Sequence, residues 1–239
     1  MRRRRRSPRA TAARKGRDMG ATINTSPAHG VYGERIARAQ AEMERQGIDW
    51  LIVSPGSDLV YLMGYPAHTS ERLTALATPR RGGEPFVVLP RLEAPRLADR
   101  ADLAELLDIR AWDETADPIR LLTGGLGEPA ERTIAVSDQM WSGFLLKLID
   151  ALPGARFVNA DGVLKALRQI KSADEIAHLR EAGRRTDAVW EEFLGAATFA
   201  GRTEAELGRQ LAEIMARHGL GDPAFMICLL YTSPSPRDS

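Results

Sequence analysis

The side chains best suited to acid–base, nucleophilic or metal chemistry are 4 histidines, 1 cysteine and 32 carboxylates in a chain of 239 residues. Their spacing decides what they can do. No His-Glu-x-x-His, Gly-x-Ser-x-Gly or Cys-x-x-Cys string occurs, which removes the readable forms of zinc-protease, serine-hydrolase and dithiol sites. Asp174 and His178 lie one turn apart on a predicted helix and could build half a metal site, but a solvated helix pair gives the same spacing. His218, beside Gly219, suits a helix C-terminus, where a cation meets the negative end of the dipole. His29 falls in a polar loop. His68 follows Tyr61-Leu62-Met63-Gly64-Tyr65-Pro66 on a loop leaving a buried helix, and is the one histidine considered for a ligand, although an ordinary loop histidine has the same placement. The carboxylates sit at caps or on helix surfaces, with no pair aimed inward by strand alternation. Gly124-Gly125-Leu126-Gly127 has neither the preceding strand nor the Lys-Ser/Thr sequel of a phosphate cradle, and Pro129 follows it, so it reads as a loop. The residues alone therefore assign no catalytic group and no metal ligand.

The elements that would position these groups alternate. Ile36, Ala39 and Met43 recur at helical spacing over 33–46, and Gly47 supplies the stop. Ile48–Val53 reads as a buried strand, and Ser57 with Asp58 as the cap of a short helix through Leu62. Two apolar runs, 72–78 and 85–89, flank Arg80-Arg81-Gly82-Gly83-Glu84 and predict a hairpin. Further helices are expected at 91–100, 118–122 and 143–152, and extended segments at 106–112, 133–137 and 156–158. The pattern is that of an α/β domain with a mixed sheet flanked by helices. After Ala160 the chain turns helical: Asp161 caps a helix to about Arg168, Ser172 with Glu175 forms a capping box for a helix to about Phe199, and Thr203 with Glu206 repeats the device for one ending at His218. Asp222-Pro223 opens an expected strand through Ile227.

The net charge of +1 conceals an asymmetry, since the first 18 residues are strongly basic and the remainder is acidic. No basic face of the kind nucleic acids require is expected in the body, and no apolar run approaches a membrane span or follows the arginines as a secretory signal would. The single cysteine, Cys228, excludes disulfides and thiol clusters, and a soluble, cytoplasmic protein is expected. The basic leader, 1–18, reads either as an arm that touches nucleic acid or anionic membrane or, the preferred reading, as translated upstream sequence ahead of a start at Met19. The end of the chain, Cys228-Leu229-Leu230-Tyr231-Thr232-Ser233-Pro234-Ser235-Pro236-Arg237-Asp238, resembles a translated sequencing-library adapter and is expected to be non-native.

Several strings in fixed order carry a family resemblance. Gly47-Ile48-Asp49-Trp50-Leu51-Ile52-Val53 after the first helix, Tyr61-Leu62-Met63-Gly64-Tyr65, Glu71-Arg72-Leu73 and Val88-Leu89-Pro90-Arg91-Leu92-Glu93 resemble the amino-terminal domain of creatinase, prolidase and aminopeptidase P. Leu167-Arg168-Gln169-Ile170-Lys171-Ser172-Ala173-Asp174-Glu175-Ile176 is similar to the junction into that family's catalytic domain, and Gly201-Arg202-Thr203-Glu204-Ala205-Glu206-Leu207 to its second catalytic-domain helix. The resemblance implies a creatinase-like N-terminal domain over 19–168, then the first helices of a truncated pita-bread α+β domain over 169–227, with 228–239 as the tail.

The same resemblance implies a metallopeptidase that cleaves before proline, as an Xaa-Pro aminopeptidase or Xaa-Pro dipeptidase. Such a bond is a tertiary amide without an N–H. It implies two divalent metals, manganese or cobalt, held by two Asp, one His and two Glu, all beyond Ile227, so that no metal or catalytic residue of this chain corresponds to them and the chain alone is expected to be inactive. A peptide with proline in second position would be the substrate, in a homodimer or homotetramer whose amino-terminal loops reach a neighbour's active site. His68 is the candidate substrate-binding residue of that loop. A metal-free peptide- or histone-binding module of the same fold and a creatinase-type amidinohydrolase remain open as alternatives.

Overall fold

A computed structural model of the chain describes residues 30–98, 100–127 and 131–221. The basic leader, His29, the strand expected at 224–227, Cys228 and the tail lie outside these residues. The chain divides into two compact units, one up to Leu167 and one from Arg168.

The first unit is a six-stranded mixed sheet with helices on both faces. Its elements run α1 (Gly30–Gln46), β1 (Trp50–Val53), α2 (Ser57–Met63), β2 (Ala75–Pro79), β3 (Phe86–Pro90), α3 (Pro95–Ala98), α4 (Ala101–Ala104), β4 (Asp108–Trp112), α5 (Pro118–Leu126), β5 (Thr133–Val136), α6 (Ser142–Ala151), β6 (Arg156–Asn159) and α7 (Asp161–Gln169). The spatial order is β4-β3-β2-β1-β5-β6. β2 pairs antiparallel with β1 and β3, while β1–β5, β5–β6 and β3–β4 are parallel. Five strands therefore end on the same edge, and only β2 runs against them.

Alternation along each strand splits the core in two. Leu51, Val53, Leu76, Val87, Leu89 and Ala135 face one side, with Ile36 and Met43 of α1, Leu59 and Leu62 of α2, and Val163 and Leu164 of α7. Trp50, Ile52, Ala77, Phe86, Val88 and Ile134 face the other, with Ile119 and Leu122 of α5 and Leu148 of α6. Asp49 fastens the other end of the sheet. Its carboxylate accepts the Thr133 N–H at 2.9 Å and an Arg80 guanidinium N–H at 2.8 Å, joining the starts of β1 and β5 to the end of β2.

Four local expectations need correction. The Gly124-Gly125 segment is helical, inside α5, and not a loop. A Cβ on Gly125 would lie 2.0 Å from Arg110 Nη1 and 2.4 Å from Phe86 Cζ, so the glycine lets α5 approach the sheet more closely than any side chain allows. Ser57 does not cap α2: it is the first helical residue, the N-cap is Gly56, and no side chain closes that end. The single helix expected at 91–100 is instead a turn, the one-turn helix α3 and then α4 after Arg100. Asp161 lies within the first turn of α7, and its N–H is taken by Asn159 Oδ1.

The second unit contains α8 (Ala173–Ala196) and α9 (Glu204–Arg217), and both expected capping boxes are formed in full. Val189, Phe193, Leu207 and Ile214 are its buried core. On α8 a second stripe, Ile176, Leu179, Trp190 and Leu194, is exposed.

Candidate functional site

The edge where five strands end carries the features closest to a binding site, as expected for open α/β sheets. Ser54, after β1, and Ser137, after β5, are both buried; the Ser54 N–H donates to Ser137 Oγ at 3.0 Å, and the two hydroxyls lie 3.4 Å apart. Above them a shallow cleft of about 10 Å³ is lined by Ser54, Pro55, Thr69, Ser70, Leu73, Thr74, Gln139, Trp141 and Phe144. That is room for one water molecule. No ionisable side chain lines it, so the cleft offers neutral donors, acceptors and an aromatic wall, and no proton-transfer group. Trp141 is 46% exposed and stacks on Phe144 with ring centroids 6.2 Å apart and planes 17° from parallel.

One wall of the cleft is the loop from Gly64 to Thr74. His68 lies midway along it, exposed to solvent, next to Thr69 in the lining. Both ends of the loop are fastened. At the start, buried Tyr65 donates its hydroxyl to Glu93 Oε2 at 2.5 Å; burial, reinforced by the Glu93 carboxylate, pushes this phenol up to about 12. At the end, the Trp112 indole N–H donates to the Leu73 carbonyl at 3.0 Å, and the Arg72 guanidinium donates to Glu114 at 2.7 Å. The Glu114 carboxylate raises Arg72 above the ordinary guanidinium range. Beside them Arg91 pairs with Asp113, and that hydrogen bond holds the Asp113 carboxyl below its usual value.

Two other described histidines, His178 and His218, belong to the second unit. His178 and Asp174 are exposed on α8, one turn apart, without a third ligand. His218 caps α9 and places Nε2 2.8 Å from Glu192 Oε2, while Arg217 pairs with the other oxygen. Arg217 first, then His218, holds the Glu192 carboxyl below its ordinary value, so the cluster is a cross-link between α8 and α9. Among the described residues no three His, Cys, Asp or Glu side chains converge as a metal-binding group, and a two-metal centre does not fit the donors present. Sequence reasoning missed Gln139 and Trp141. A large aromatic just past a parallel strand's carboxyl end is the signal that points to them.

This architecture defines a class. Residues 35–170 match the creatinase/prolidase N-terminal domain, and the chain belongs to that family. The probable dipeptidase PepE of Mycobacterium tuberculosis is 41% identical over 200 residues, covering 82% of this chain and 52% of the relative. Among solved structures, dipeptidase PepE from Mycobacterium ulcerans superposes with a TM-score of 0.70 at 40% identity, covering 79% of this chain and 50% of that one. Recombinant prolidase from Thermococcus sibiricus gives 0.71 at 27% identity, covering 82% and 52%. The chain thus spans about half the length of the relatives it matches. No helix among the described residues is long and apolar enough to cross a membrane.

Proposed function

We propose that this chain is the amino-terminal, non-catalytic portion of an Xaa-Pro dipeptidase. The observation that carries this reading is the 41% identity to a probable dipeptidase over 200 residues, a stretch longer than either compact unit and so reaching beyond the family domain alone. In this reading the amino-terminal domain, 19–168, shapes access to the substrate, with His68 contacting a peptide that has proline in second position. The helices from 169 onward begin the catalytic domain, whose two divalent metals, manganese or cobalt, are held by residues beyond those described. The working assembly is a homodimer or homotetramer in the cytoplasm.

The test is to recover the gene past codon 227 from its source DNA and assay the complete product on Ala-Pro and Ala-Ala with manganese. Manganese-dependent cleavage of Ala-Pro in preference to Ala-Ala, together with no turnover by residues 19–227, is expected. Turnover by residues 19–227, or a complete product that binds proline peptides without cleaving them, refutes the reading; the latter outcome identifies a binding module.

A further inference from the structure

We infer that Tyr32 and Arg100 are positioning residues that set the direction in which the 64–74 loop leaves α2, and so place His68 for peptide contact. This rests on the reading that the loop meets substrate. The stem of the loop is built from parts distant in sequence. α2 ends at Gly64 in the left-handed conformation, φ 64°. A Cβ at that position would lie 2.1 Å from the Tyr32 hydroxyl and 2.5 Å from its Cζ, so the phenol of α1 sits directly on the glycine. Arg100 stacks on the other partner: its guanidinium is 5.5 Å from the Tyr32 ring centroid, and its Nη1 donates to the Gly64 carbonyl at 3.4 Å. Asp102 holds Arg100 through two bonds of 2.8 Å. Arg35 also lies 5.9 Å from the Tyr32 ring centroid and 4.1 Å from that of Tyr61, and donates to the Tyr61 carbonyl at 2.9 Å.

The result is a ladder, Tyr61–Arg35–Tyr32–Arg100, that ties α1 and α2 to the segment entering α4. A left-handed glycine already suffices to end a seven-residue helix. Ordering a tyrosine and two arginines on top of it costs rotamer freedom that helix termination does not require. What the ladder adds is a fixed exit. With the Tyr65–Glu93 bond next in sequence and the Trp112–Leu73 bond at the other end, the exposed span through His68 hangs between two anchors. A loop ordered in advance spares a ligand the entropy of ordering it on binding.

Two measurements test this. In the 239-residue chain, amide hydrogen exchange over 67–71 should rise about tenfold in Tyr32→Ala and stay near wild type in Tyr32→Phe, which keeps the ring between the guanidiniums. In the complete gene product, Tyr32→Ala should raise KM for Ala-Pro about tenfold with kcat little changed, and Tyr32→Phe should restore it. Unchanged exchange in Tyr32→Ala overturns the inference. So does a loosened loop with unchanged KM when His68→Ala does raise KM, because the loop then works without its ladder. If His68→Ala leaves KM unchanged, the substrate role of the loop fails, and the positioning role fails with it.

Discussion

Replacing Asp49 with alanine should cost the first unit about 2–3 kcal/mol, a large share of the stability of an ordinary domain. The figure comes from two bonds. The Thr133 N–H, in a residue 9% exposed, loses its 2.9 Å acceptor and has water poorly placed to replace it. A buried donor left unpaired costs about 1–3 kcal/mol. The pair with Arg80 is part-exposed, with the two side chains 32% and 28% accessible. It adds no more than about 1 kcal/mol. Asp49→Asn is the informative control, because an amide oxygen can still accept from Thr133 while the charge is lost; its cost should stay below about 1 kcal/mol. Urea unfolding followed by the fluorescence of buried Trp50 and Trp112 measures both at constant slope. Hydrogen exchange at the Thr133 amide should accelerate in Asp49→Ala and hardly change in Asp49→Asn. If Asn proves as damaging as Ala, charge and not acceptor geometry holds these strands, and the reasoning is wrong.

Three further outcomes follow from single sites. Thr78 Oγ1 is buried without a hydrogen-bond partner among the described residues, so Thr78→Val, isosteric and suited to a strand, should raise stability by about 0.5–2 kcal/mol in the same urea experiment. Gly125→Ala forces a Cβ against buried Phe86 and the Arg110 guanidinium and should lower stability by about 1–3 kcal/mol, read as a fall in the unfolding midpoint. With its phenol pushed up to about 12, Tyr65 keeps in the folded chain a proton that the unfolded chain releases near pH 10, so stability should fall as pH rises from about 10 to 12. Tyr65→Phe should flatten that stretch of the stability profile, and absorbance at 295 nm should show its late ionisation.

What could be read in the sequence was what depends on neighbours in the chain. Ser172 with Glu175 and Thr203 with Glu206 are reciprocal bonds across three residues, and both exist as expected. The 80–84 turn between two apolar runs is likewise a local matter, and the hairpin formed. The misreadings arise where distant parts decide. Gly124-Gly125 looks like a loop by composition, yet it lies inside α5, where Phe86 and Arg110 leave no room for a side chain at Gly125. Ser57 has the chemistry of a cap, but the chain enters α2 through Gly56 at φ 152°, and the serine falls one place too late. At the candidate site, His68 was singled out from its place after a buried helix, and the structure puts it on the loop beside the cleft-lining Thr69. Gln139 and Trp141 were passed over, because an aromatic after a strand becomes a sign only once β1 and β5 are known to pair in parallel and bring it to residues 69–74. Tyr32 gave no sign, because its partner is a glycine on another helix.

The sheet order carries a consequence for how this protein is made. β1 lies between β2, its near neighbour in the chain, and β5, and 84 positions separate Asp49 from Thr133 where the two parallel strands meet. During synthesis the hairpin and β4 can assemble on one flank of Trp50-Leu51-Ile52-Val53 while the other flank still has no partner. For that interval a wholly apolar strand presents bare backbone donors and acceptors to whatever is nearby, including a second nascent chain. A pause that delays the emergence of Thr133–Val136 prolongs the exposure, and prompt delivery of β5 shortens it. The interval before β5 reaches β1 is thus a hazard separate from the stability of the finished fold.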